Sequence, residues 1–127
     1  MEILLKRKVE NKMLNQIVLV GRLVSDPEIK ETESGKKVSN ITLAVNRSFK
    51  NEEGIYETDF IDCILWNGIA TNTSEYCKKG DLVGVKGRVQ STIVSDDSKS
   101  IDESKKNELQ IVAEKVTFLS PPHRDNV

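Results

Sequence analysis

One histidine, two cysteines and three prolines are all that the 127 residues contain of those types, and each scarcity removes a class of chemistry. Cys63 and Cys77 have no C-x-x-C or Cys/His spacing around them. They read as reduced core residues of a cytosolic protein rather than as a disulfide or a zinc site. His123 lies in the tail with neither a nucleophile nor a metal-ligating partner near it in sequence, and it takes no role. No apolar run approaches the about 20 residues that a membrane helix needs. The opening stretch, MEILLKRKVENK, places its basic residues after a short apolar patch and offers no A-x-A site, the reverse of a signal peptide. There is no Walker or nucleophile motif, and Asp59 and Asp62 stand without the further Asp, Glu or His of a metal site. The expectation is a protein that is not an enzyme and uses neither metal nor cofactor. An excess of positive charge is missing as well: the net charge is −1, which weighs against bulk attraction of nucleic acid.

What is present is a chain of one-domain length with 37% hydrophobic and 31% charged residues, enough of the former for a core and of the latter for a soluble surface. The charge is unevenly spread. Residues 1–12 carry Lys6, Arg7, Lys8 and Lys12 against Glu2 and Glu10, while 96–108 carry five acidic residues against three lysines. Between them the two signs nearly balance, so any anion binding there depends on local basic strips.

The chain opens its regular part at Met13, which looks like a natural start. Residues 1–12 are then an extension, a leader helix or an added strand. Residues 16–23 form a first strand, in which Gly21 marks a bulge or tight bend. Ser25-Asp26-Pro27 makes a turn, 28–32 extend again, and Ser34-Gly35-Lys36-Lys37 turns into a strand over 38–49. Residues 67–79 have Ile69, Ala70, Thr73, Tyr76 and Cys77 at helical spacing, with Lys78 and Lys79 in the last turn and Gly80 as a left-handed cap. From 82 to 94, Val83, Val85, Gly87 and Val89 face one way, and Lys86, Arg88, Gln90, Thr92 and Val94 the other. Residues 95–107 are rich in Ser, Asp and Lys, a long flexible hairpin loop. A final strand runs over 109–119, and Pro121-Pro122 closes the domain.

Residues 41–66 organise the rest, holding four of the six aromatic side chains. Ile41, Leu43 and Val45 alternate with Thr42, Ala44 and Asn46, as in a strand with one buried face. The next strand, 60–66, is apolar on both faces: Ile61, Cys63 and Leu65 form one set, Phe60, Ile64 and Trp66 the other, with Asp62 among them. Only one set can fill a small barrel, so the other meets a partner subunit, a second layer or a ligand. Phe60 and Trp66 share parity and stand on one side, near Arg47 and Lys50. Those are the ingredients of a base-stacking platform. Phe49 has the parity of the core set, so its ring is presented only if the strand bulges between Val45 and Phe49. Tyr56 reads as a loop residue.

The order β-β-β-α-β-β with short strands fits an all-β fold, a five-stranded Greek-key barrel of OB type with one short helix between strands 3 and 4. VLVGRLVSDPE, VSNITLAVNRSF, TDFIDCILWNGIA and YCKKGDLVGVKGRV, in that order and spacing, make the chain resemble the bacterial single-stranded DNA-binding proteins over about 13–119. The resemblance implies a homotetrameric, non-enzymatic, cytoplasmic protein that coats single strands in replication, repair and recombination. It implies a DNA-binding domain over 13–120, between an extension at 1–12 and a tail at 121–127. It assigns base stacking to Phe49, Phe60 and Trp66, and the basic residues beside them, Arg47, Lys50, Lys86 and Arg88, are the phosphate contacts. Two departures stand out. The family's fourth aromatic falls at or near Val94, and the chain stops at PPHRDNV without the usual linker and acidic tip that recruits other proteins. The alternative reading is an OB-fold interaction module of primosome-accessory type with weak DNA binding.

Overall fold

The alternating segments become strands and the 3.6-period segment becomes a helix in a computed structural model that describes residues 14–95 and 105–123. In chain order these are β1 (Ile17–Leu23), β2 (Lys30–Glu31), β3 (Lys37–Lys50), β4 (Tyr56–Trp66), α1 (Asn67–Tyr76), β5 (Leu82–Ser95) and β6 (Lys105–Phe118). β1 pairs antiparallel with β5 from Ile17 to Arg22, and its end also pairs with β3 through Arg22 opposite Ala44 and Leu23 opposite Leu43. β5 pairs with β6, β6 runs parallel to β4 at Cys63–Ile111 and Ile64–Val112, and β4 pairs with β3. The ring β1-β5-β6-β4-β3 therefore closes on itself, leaving those five strands no free edge in the barrel wall. This is the five-stranded OB barrel expected, with α1 between the third and fourth of its long strands. β2 is a two-residue addition on β3.

The inner face of the barrel collects Leu23, Ile41, Leu43, Cys63, Leu65, Val83 and Val85, and α1 contributes Ala70. Cys63 and Cys77 are both buried and unpaired. Burial pushes each thiol up to about 11, with the carboxylates of Asp62 and Asp81 adding to the rise, so neither is a ready nucleophile. Gly21 proves to be a point of close approach: a Cβ there would stand 2.7 Å from the Ala44 carbonyl oxygen. A side chain at that position would hold β1 off β3 where the barrel closes. Gly87 lies at a register shift between β5 and β6, and a Cβ on it would collide with the Val112 carbonyl.

Several boundaries differ from those read in the sequence. α1 ends at Tyr76, and Cys77 is already extended. Gly80, with φ of 91°, serves a tight turn in which the Asp81 N–H donates to the Lys78 carbonyl at 3.0 Å. Asp81 also accepts the Lys78 N–H at 2.9 Å. That turn chemistry ends the helix early, so Lys78 and Lys79 lie beyond its last turn. β6 begins at Lys105, four residues ahead of the strand read in the sequence. The leader 1–12 and residues 96–104 of the acidic stretch lie outside the described residues. At the other end the chain stays attached past Phe118: Ser120 Oγ accepts the Leu82 N–H at 2.7 Å, and His123 Nε2 sits 2.7 Å from Asp81 Oδ2. Burial alone would raise the Asp81 carboxyl, but the His123 contact and the Lys78 N–H outweigh it and hold Asp81 below its ordinary value. Among the described residues no helix is long and apolar enough to cross a membrane.

Candidate nucleic-acid interface

β4 sorts its side chains as parity requires. Cys63 and Leu65 are buried and Ile61 packs against the core, whereas Phe60, Asp62, Ile64 and Trp66 take the outer face. Phe60 is 68% exposed and Trp66 is half-buried. At about 3.3 Å per residue the two rings are anchored on the order of 20 Å apart along one strand. Their cross-strand neighbours on β3 are Ala44 opposite Phe60, Thr42 opposite Asp62, Asn40 opposite Ile64 and Val38 opposite Trp66. These are small or mid-sized, so the Phe60 ring stands proud of the surface, while Trp66 is partly covered. Thr42 Oγ1 donates to Asp62 Oδ1 at 2.6 Å. Alongside, a groove of about 420 Å³ is lined by Asn40, Asp62, Cys63 and Ile64 on one side and Glu108, Leu109 and Gln110 of β6 on the other, next to where β4 and β6 pair.

Phe49 reaches the surface by the bulge its parity demands. Register moves from Asn46 opposite Thr58 to Lys50 opposite Tyr56, four steps along β3 against two along β4. The slack turns Phe49 out to 63% exposure. Tyr56 is the first residue of β4 rather than a loop residue, and Lys50 Nζ lies 5.5 Å from its ring centroid, within cation–π range. The connecting tip is well braced: Asn51 Oδ1 accepts the N–H groups of Glu53 and Ile55.

The basic residues separate into three situations. Arg47 is engaged across the hairpin, with Nη1 2.7 Å from Glu57 Oε2, Nη2 2.9 Å from Asp59 Oδ1 and Nε 3.1 Å from Asp59 Oδ2. The hydrogen bond from Arg47 holds the Asp59 carboxyl below its ordinary value, and the same fork raises Arg47 further. Lys50 sits over Tyr56. Lys86 and Arg88 point outward on β5, Lys86 opposite Lys115 and Arg88 opposite Val112. Arg88 Nη1 donates to Gln90 Oε1 at 2.7 Å, and its Nε is 3.8 Å from Glu114. The lateral row Ile64–Val112–Arg88 ties Arg88 to the aromatic face across two strand spacings. The fold thus brings Phe49, Phe60, Trp66, Arg47 and Lys50 onto one hairpin, with Lys86 and Arg88 on a separate ribbon. Val94 lies within β5, opposite Lys106.

Two basic positions were missed in the sequence. Lys115 faces the same side as Lys86. Arg22 stands in the row Leu82–Arg22–Ala44–Phe60, a neighbourhood created only by barrel closure. Among the described residues no group of three or more His, Cys, Asp or Glu side chains is placed to hold a metal ion.

A closed barrel with, among the described residues, one helix, an outward aromatic strand and an adjoining basic ribbon defines the oligonucleotide-binding barrel class. Within it, the family model of the Single-strand binding protein family matches residues 14–119, and the chain belongs to that family. It is 42% identical to single-stranded DNA-binding protein B of Bacillus subtilis, over 89% of this chain and 96% of that protein. It is 46% identical to the single-stranded DNA-binding protein of Halalkalibacterium halodurans, over 86% of this chain but only 62% of the longer relative. Single-stranded DNA-binding protein 2 of Listeria monocytogenes is 42% identical over 89% of this chain and 68% of its own length.

Proposed function

We propose that this protein binds single-stranded DNA without sequence preference, as a binding protein and not an enzyme, in the protection of single strands during replication, repair and recombination. The observation that carries this reading is the outward aromatic set Phe49, Phe60 and Trp66, on a barrel of the single-strand binding family. Each ring offers a face to a base, and stacking tolerates any base because every base has a π-face. Lys50, Lys86 and Arg88 meet phosphates. Arg47 reaches a phosphate only by leaving Asp59 and Glu57. Val18 and Val20, 64% and 50% exposed on the outer face of β1, support assembly with further copies of the chain. The tetramer is the state in this reading; light scattering that returned a monomer at micromolar concentration would contradict it.

The test is fluorescence anisotropy of a labelled oligo-dT, competed with unlabelled single-stranded and duplex DNA of equal length. Single strands should displace the label at stoichiometric concentration and duplex only in large excess. Equal competition by both would overturn the reading. One observation favours an interaction module instead. The β3–β4 segment, residues 37–66, carries Lys37, Arg47 and Lys50 against Glu52, Glu53, Glu57, Asp59 and Asp62, and its arginine is self-paired. Absence of any anisotropy change at low salt would select that module.

A further inference from the structure

We infer that Arg22, on β1, is the phosphate contact serving the base stacked on Phe60; the inference rests on the single-strand-binding reading and names a residue of that same site. Arg22 pairs across the sheet with Ala44, and Ala44 pairs with Phe60. Directly opposed residues point to the same side of a sheet, so Arg22, Ala44 and Phe60 form one outward row. Arg22 and Phe60 are exposed and Ala44 is half-buried between them. The middle member is only a methyl group, which makes the floor of a trough with an aromatic ring on one bank and a guanidinium on the other. Two strand spacings put the backbones on the order of 10 Å apart, a gap that an extended arginine and one nucleotide bridge together.

The guanidinium is also prepared for an anion. Its Nη1 donates to the Gly80 carbonyl at 3.0 Å on the β5 side of β1, a single uncharged contact that leaves the other N–H groups of the fork free to bind. Among the described residues it enters none of the ion pairs, and its neighbours in the row, Ala44 and Leu82, are apolar. Arg47 is the contrast. It is nearer to Phe49 in sequence, yet two carboxylates already occupy its donors. A phosphate meeting Arg47 must displace two carboxylates, Asp59 and Glu57; a phosphate meeting Arg22 displaces at most the single bond to the Gly80 carbonyl.

The experiment measures the affinity of the full chain for a short oligo-dT across a salt series, with Arg22→Gln, Arg22→Lys and Phe60→Ala, and thermal melting to confirm folding. Arg22→Gln should weaken binding roughly 3- to 10-fold at low salt and reduce the log–log salt slope by about 0.7, the value of one phosphate on a single strand. Arg22→Lys keeps the charge and should keep the slope. A folded Arg22→Gln variant with unchanged slope, whether or not its affinity falls, would overturn the inference, since a structural role does not alter counterion release. If the parent chain binds and Phe60→Ala weakens it while Arg22→Gln leaves the slope alone, the inference fails and the functional reading stands. If the parent chain itself does not bind, both fall.

Discussion

The β3–β4 hairpin and the β5–β6 ribbon are built from similar strand lengths on the same barrel, yet they are chemical opposites. Over residues 37–66 the hairpin holds four aromatic side chains and a net charge of −2, three basic against five acidic residues. Over 82–95 and 105–118 the ribbon holds one aromatic, Phe118, whose ring centroid lies 6.0 Å from that of Tyr76. Its net charge is +3, from Lys86, Arg88, Lys105, Lys106 and Lys115 against Glu108 and Glu114. In the proposed function, the two tasks of holding a nucleic acid strand are largely divided: the hairpin would offer rings to bases, and the ribbon would supply cations for phosphates alongside Lys50 and Arg22. A near-neutral chain needs no more than this, because stacking is indifferent to net charge and phosphate attraction acts over about a Debye length.

The largest effect should come from the aromatic side of the comparison. Phe60→Ala removes an exposed ring without opening the core, and is expected to cost about 1–3 kcal/mol of binding, roughly 5- to 150-fold in Kd. Oligo-dT titration with thermal melting as control measures it. The salt slope of this variant should stay at the parent value, because no cation is lost. Next comes the ribbon. The double variant Lys86→Gln, Arg88→Gln should lower the log–log salt slope by about 1.4, at about 0.7 per phosphate, while leaving Trp66 quenching at saturation unchanged. Arg47→Gln, by contrast, should shift the slope by much less, since its charge is already spent on Asp59 and Glu57.

Smaller effects come from the internal ion pairs. Asp59→Asn frees part of the Arg47 fork and should tighten binding a few-fold at low salt, with the gain vanishing where screening is short-ranged. The pH dependence has a definite sign. The folded Asp59 carboxyl lies below its ordinary value, so the pairing is fully present above the ordinary carboxylate range and is lost as pH falls through that depressed value. Loss of the Arg47–Asp59 contact, followed by NMR of the two side chains, should therefore appear only in acid. Smallest of all, His123→Ala removes a partly exposed pair with Asp81 and should cost at most about 1 kcal/mol of stability, leaving DNA affinity unaltered.

Why the hairpin was more legible than the ribbon follows from where the information lies. Period-2 alternation at Ile41, Leu43 and Val45, and the two-sided apolarity of 60–66, are local, so the sorting of Phe60 and Trp66 to one face could be read directly. The bulge that exposes Phe49 followed from a parity conflict and is seen in the register shift between Asn46 and Lys50. What escaped depends on pairing between distant segments. The engagement of Arg47 needs the hairpin register that sets Asp59 opposite Val45 and Thr58 opposite Asn46, which brings the carboxylates of Glu57 and Asp59 within its reach. Arg22 gains Phe60 as a neighbour only when β1 closes onto β3, and His123 gains Asp81 only when the tail folds back over the Lys78–Leu82 turn. The helix end was misjudged because Gly80 suits a left-handed cap and a tight turn equally, and the Asp81 side chain decided for the turn.

The division of labour between rings and cations is tested most directly through Trp66, the single tryptophan. Its fluorescence should be quenched by oligo-dT with the same midpoint as the anisotropy change, while an abasic phosphodiester strand of equal length should bind more weakly, with the same salt dependence, and leave the emission unquenched. Binding of oligo-dT to saturation with no quenching, or equal quenching by the abasic strand, would contradict stacking on the β4 face.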